Sequence, residues 1–114
     1  MNRSEHSILK IHASTTDKMG SKLLYQHIVE LAKEKGITGA TVYRGIMGYG
    51  SSSRISSSRF WELTEKLPVV IELIDRTERL EAFFEGIREK LLSMPKGCLV
   101  ALEPVNILLQ KKGN

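Results

Sequence analysis

Val69-Val70-Ile71-Glu72-Leu73-Ile74 is apolar on both sides of a β-period, interrupted only by Glu72. A strand with one face in water alternates apolar and polar residues, whereas a nearly continuous apolar run implies cover on both faces. Leu67-Pro68 marks where this strand begins, because proline disfavours helix in the residue before it. Its two outward sets are Val69, Ile71 and Leu73 on one side, and Val70 and Ile74 on the other.

Working outward, Asp75-Arg76-Thr77-Glu78 has the acid-x-x-Glu spacing of a capping box. It opens a helix whose apolar stripe is Leu80, Phe83, Phe84, Ile87 and Leu91. After the turn Ser93-Met94-Pro95-Lys96-Gly97, the run Cys98-Leu99-Val100-Ala101-Leu102 reads as a strand, and Pro104 separates it from a short further strand, Val105-Asn106-Ile107-Leu108-Leu109. Upstream, Ile8-Leu9-Lys10-Ile11-His12-Ala13 alternates as a strand with Leu9, Ile11 and Ala13 on one side. Ser21 to Lys35 places Leu24, Ile28, Leu31 and Ala32 on one helical face, with Gly36 where a C-terminal cap belongs. Ala40-Thr41-Val42-Tyr43-Arg44 is a second strand, and Phe60-Trp61-Glu62-Leu63 reads as a short helical turn.

The order is β-α-β-β-α-β with a tail strand, an α+β ferredoxin-like arrangement in which both helices cover one face of an antiparallel sheet. The apolar residues on the other face then lack a cover from their own chain. Burying such side chains is worth roughly 1.5–3 kcal/mol each, so a bare face is costly and prone to aggregation. A second copy of the chain is the economical cover, and a homo-oligomer with sheets packed on sheets is expected.

The 114 residues suit a single domain, 1–114, and 41% hydrophobic with 26% charged is ordinary for a soluble globular protein. The net charge of +4 is spread along the chain and mixed with acids, whereas a nucleic-acid footprint would be clustered, so the balance fits small anionic ligands at least as well. The lone Cys98 excludes an intrachain disulfide and fits a reducing compartment. No secretory signal stands at Met1 to His6, and no apolar run approaches the roughly 18 residues that span a bilayer, so a cytoplasmic location without membrane insertion is expected.

The segment most unlike a core is Gly45 to Arg59, with three glycines, six serines and two arginines. Glycine reaches positive φ and lets a ligand approach the backbone, serine offers small hydrogen-bonding groups, and arginine offers a donor fork matched to phosphate or carboxylate. The same composition also suits a Gly/Ser linker, and a flexible loop over about 48–59 is expected. His6, His12 and His27 have no repeated ligand spacing, so no metal site is expected. Cys98 and Tyr43 read as strand packing residues, Glu72 as an ion-pair partner, and His27 as a packed or interfacial side chain. No acid, base or nucleophile set is recognisable, so no catalytic residue is assigned. The first and third main strands carry no aromatic residue, leaving no stacking platform for RNA, and no nucleic-acid partner is expected.

Gly39-Ala40-Thr41-Val42-Tyr43-Arg44-Gly45-Ile46-Met47-Gly48-Tyr49-Gly50, Ser53-Arg54-Ile55, Leu67-Pro68-Val69-Val70-Ile71-Glu72 and Gly97-Cys98-Leu99-Val100 together resemble the PII-like proteins, in particular their domain-of-unknown-function branch, related to nitrogen-regulatory PII and CutA proteins. The likeness runs from Leu9 to about Lys111. It implies a homotrimer with sheets facing a central axis and adenine nucleotide (AMP, ADP or ATP) held in clefts between subunits, as a ligand and not as a required cofactor. Matched by motif, the contacting elements are Gly48-Tyr49-Gly50 at the loop base and Lys96-Gly97-Cys98 in the turn before the last main strand, with Arg44, Arg54 and Lys96 as nearby cations. The chain departs from PII in having Ser51, Ser52 and Ser53 after the Gly-Tyr-Gly turn, so the oxoglutarate and magnesium chemistry of PII is not carried over. The terminal segment keeps only Lys111 and Lys112 of the basic character found there in PII, and Tyr49 stands at the loop base, which gives no support to nucleotidylation at its tip. The expectation is a regulatory protein that signals to a protein target through the 48–59 loop. The alternatives are a small enzyme acting on a phosphorylated metabolite and a CutA-like metal-tolerance protein.

Overall fold

A computed structural model describes residues 5–50, 56–57 and 66–113. In chain order the elements are β1 (His6–Ser14), β2 (Lys18–Met19), β3 (Lys22–Leu23), α1 (Leu24–Glu34), β4 (Gly39–Arg44), β5 (Met47–Gly48), β6 (Ser56–Ser57), β7 (Pro68–Arg76), α2 (Thr77–Ser93) and β8 (Leu99–Val105). The main sheet runs β4-β7-β1-β8 with every neighbouring pair antiparallel. β1-α1-β4 and β7-α2-β8 are each split by one strand of the other unit, which is the expected α+β ferredoxin-like arrangement.

The central strand β7 resolves the two-sided apolar run. Val69, Ile71 and Leu73 are buried, while Val70, Glu72 and Ile74 face the other way and are only half-buried. Ile71 and Leu73 join Leu9 and Ile11 of β1, Leu24, Ile28 and Ala32 of α1, and Leu80, Phe83, Ile87 and Leu91 of α2 in one core. Register carries the opposite pattern across the sheet. Ile8 pairs with Ile74, Lys10 with Glu72 and His12 with Val70, and on the outer strands Tyr43 stands opposite Val70 and Leu99 opposite His12. This helix-free face therefore presents Ile8, Val70 and Ile74 half-buried, with Tyr43 53% and Leu99 59% exposed at its edges.

α1 ends as its glycine predicts. Gly36 has φ +77, its N–H donates to the Lys33 carbonyl, and the Ile37 N–H donates to the Ala32 carbonyl, closing a Schellman motif. The start of α2 is a correction. Arg76 occupies the N-cap with no side-chain capping bond. Asp75 is buried and accepts the Thr38 and Arg76 N–H groups at 2.9 and 2.6 Å, with Arg79 3.4 Å away. Its carboxylate thus ties the α1–β4 connection to the end of β7 instead of capping the helix. The tail also differs from expectation: β8 continues through Pro104 to Val105, and residues 106–110 carry no strand. β8 is an edge strand, where proline is tolerated. Its partner β1 begins at His6 opposite Val105, so nothing in this sheet remains for residues beyond it to pair with.

Candidate functional site

The ends of β1 and β4 and the starts of β7 and β8 lie at one end of the sheet, because Ser14 pairs with Pro68, Arg44 with Val69 and His12 with Leu99. The motif residues gather there but not beside one another. Arg44 and Gly48-Tyr49-Gly50 extend from β4, while Lys96-Gly97-Cys98 lead into β8. Arg44 and the lead into β8 stand at the two edges of the sheet, separated by β7 and β1, so three strand spacings put roughly 14 Å between those edges, and Gly48 lies between them over Pro68 of β7. Arg54 lies outside the described residues, as do Arg59, Ser51, Ser52, Ser53 and the Phe60–Leu63 turn.

The glycines of the loop base work differently from the expectation of positive φ. Among the described glycines positive φ is found at Gly20 and Gly36, not at Gly45, Gly48 or Gly50. Gly45 and Gly48 instead let the backbone lie close over Pro68: a Cβ at Gly45 would stand 3.3 Å from Pro68 Cβ, and one at Gly48 3.1 Å from Pro68 Cγ. The Gly45 N–H donates to the Pro68 carbonyl at 2.7 Å. Gly50 meets nothing within 4 Å. Within the expected loop, Met47–Gly48 pairs with Ser56–Ser57 as a two-rung antiparallel ribbon. Ile46, Met47 and Tyr49 stand 80%, 61% and 73% exposed, three large apolar side chains within four residues.

On the β8 side, Cys98 is half-buried against the core, and burial pushes its thiol above the ordinary range, with the nearby Asp17 charge adding to the rise. Thiolate character is thereby suppressed, which suits packing more than nucleophilic attack. Lys96 and Gly97 are exposed. On the helix-free face, Lys10 pairs with Glu103 at 2.8 Å, and the hydrogen bond it donates to that carboxylate holds the ammonium above its usual range, Glu72 adding its charge. Among the described residues no group of three or more His, Cys, Asp or Glu side chains is placed to hold a metal ion, and no helix is long and apolar enough to cross a membrane.

The β2–β3 hairpin is the feature that the sequence reading missed. Gly20-Ser21 is a two-residue turn in which Gly20, at φ +68, supplies the conformation such a hairpin demands. A Gly-Ser pair between Met19 and Lys22 was the available signal, though strands of two residues are too short for apolar alternation to show.

Comparison with known proteins agrees with this architecture. The profile of the DUF190 family, described as an uncharacterized ACR, matches residues 6–107. A UPF0166 protein of Aquifex aeolicus (strain VF5) is 37% identical over 101 residues, covering 89% of this chain and 91% of the relative. A UPF0166 protein of Methanocaldococcus jannaschii is 42% identical over 82 residues, covering 72% and 75%. Among solved structures, CPII, a nitrogen regulatory PII-like protein from Thiomonas intermedia K12 bound to ADP, AMP and bicarbonate, superposes with a TM-score of 0.59 at 16% identity, over 85% of this chain and 84% of that one. CutA1 from Oryza sativa superposes with a TM-score of 0.51 at 15% identity, over 97% and 85%. Likeness at such identities establishes a shared fold.

Proposed function

This chain belongs to the DUF190 family, and from that premise we propose that it is a PII-like regulatory protein which binds an adenine nucleotide in clefts between the subunits of a homotrimer. One observation carries the reading. The two halves of the motif set share an end of the sheet, but Arg44 stands at its β4 edge and Lys96-Gly97-Cys98 lead into its β8 edge. A phosphate chain reaches both halves only where the β4 edge of one protomer meets the β8 edge of another.

The helix-free face supports such assembly, since Ile8, Val70, Ile74 and Leu99 gain cover when sheets pack together. The PII-like fold neighbour that carries ADP and AMP supports the ligand class. In this reading Arg44 and Lys96 hold the phosphates, and the amides around Gly48 and Gly97 line the chain. The exposed Ile46, Met47 and Tyr49 give the loop an apolar platform for a protein target, and ligand contact at Gly48 and Gly50 biases the loop by ordering its base. The role is regulatory and non-catalytic, in the cytoplasm.

Titration calorimetry with AMP, ADP and ATP tests the reading. Saturable binding of at least one nucleotide, weakened by Arg44→Ala, is the expected result, and no heat at millimolar ligand rejects it.

A further inference from the structure

Far from the β4 edge, the β2–β3 hairpin, α1 and the end of α2 enclose a cleft of about 830 Å³. Its size falls within the range of small-molecule sites. The walls include Lys18 and Lys22 from the hairpin, Lys90 near the end of α2, and Lys96 in the following turn, with His27 of α1 between them. Against these four lysines stands one lining carboxylate, Asp17, which is buried and already engaged by the Ser14 N–H at 2.9 Å. Lys22 is paired with Glu30 at 2.7 Å, whereas Lys18, Lys90 and Lys96 have no ion-pair partner among the described residues.

Helix electrostatics account for only one of the three. Lys90 complements the carbonyl end of α2, but Lys18 and Lys96 lie outside any helix. Three lysines without an ion-pair partner among the described residues line one concave space, and such a cationic lining suits a multiply charged anion. Lysine, a compact charge with three donors on a flexible stem, is suited to phosphate oxygens. The remaining lining mixes polar Thr16, Ser21, Ser93 and His27 with an apolar wall, in which Met19 is buried and Met94 half-buried, with Pro95 following it. Such a wall takes the organic body of a ligand while the lysines hold its charged end.

We propose that this cleft is a second site for a small organic phosphate, which adjoins the intersubunit nucleotide cleft at Lys96 but does not use Arg44. Lys18 and Lys90 hold the phosphate, and Met19 and Met94 contact the organic part. Its lining residues all come from one protomer.

Calorimetry with inorganic pyrophosphate and with phenyl phosphate tests this on the full chain, using Lys18→Gln/Lys90→Gln, Arg44→Ala and the two combined. Both anions are expected to bind the unaltered protein. The double substitution should weaken both by about tenfold or more, in the native sequence and equally in the Arg44→Ala background, where the nucleotide cleft is disabled. Both lysines are exposed, so the double variant is expected to keep its fold, which circular dichroism checks. Failure of both anions to bind at millimolar concentration overturns the proposal, as does binding that survives the double substitution. Weakening by Arg44→Ala with no effect of the double substitution also overturns it, because it assigns the anions to the nucleotide cleft.

Discussion

Gly48 lies so close over Pro68 that a Cβ there would stand 3.1 Å from Pro68 Cγ. The proline cannot readily yield, because its carbonyl is held by the Gly45 N–H at 2.7 Å and its residue begins the central strand β7. The base of the loop is thus seated on the strand that runs through the middle of the sheet.

Gly48→Ala should therefore lower stability, while Gly50→Ala, in open space and without positive φ, should be neutral or slightly stabilising through the unfolded chain. The difference between the two is expected to be about 1 kcal/mol or more in urea unfolding. Equal midpoints for the two variants would show that Pro68 does not constrain the loop base.

Cys98 gives a pH-dependent signature. Burial raises the folded thiol above its ordinary 9.0, so the alkylation rate of the native protein should reach half its plateau at a higher pH than that of the urea-unfolded chain. The same shift acts on stability. A group whose pKa is raised by folding contributes fully below its unfolded value, and that contribution is lost as pH rises from the unfolded towards the folded value. Unfolding midpoints should then fall more steeply above pH 9.0 in the native sequence than in Cys98→Ala. Identical slopes would contradict it.

Val70 stands at the centre of the helix-free face, opposite His12 on one side and Tyr43 on the other. Placing a charge there should cost little in a lone protomer, where the position is only half-buried, and much in an assembly that covers it. Val70→Glu is expected to sediment as a monomer with unchanged far-ultraviolet circular dichroism. A variant that still sediments as the native oligomer would place the subunit interface elsewhere.

The fold was legible where a period was long enough to read. The two helices are stated by Leu24, Ile28 and Ala32 and by Leu80, Phe83, Ile87 and Leu91, all buried as expected, while Leu31 and Phe84 of the same stripes are only half-buried. Gly36 marked its cap correctly because a helix end and positive φ are both local properties. Asp75 misled for the opposite reason. Its spacing to Glu78 matches a capping box, but the Thr38 N–H, distant in sequence, claims the carboxylate once β4 pairs with β7. The close approach of Gly45 and Gly48 to Pro68 was not legible, because that contact is fixed only by the register of the folded sheet. The lysine-lined cleft was invisible for the same reason: Lys18, Lys90 and Lys96 come from three places in the chain, brought together by a hairpin of two-residue strands.

The claim that Arg44 and Lys96 serve one nucleotide from different protomers is tested most directly by mixing. Arg44→Ala and Lys96→Ala homo-oligomers should each lose nucleotide binding in calorimetry, and co-refolding the two should restore part of it, because some clefts in mixed assemblies regain both native side chains. Absence of any recovery, or undiminished binding by either variant alone, would contradict the account.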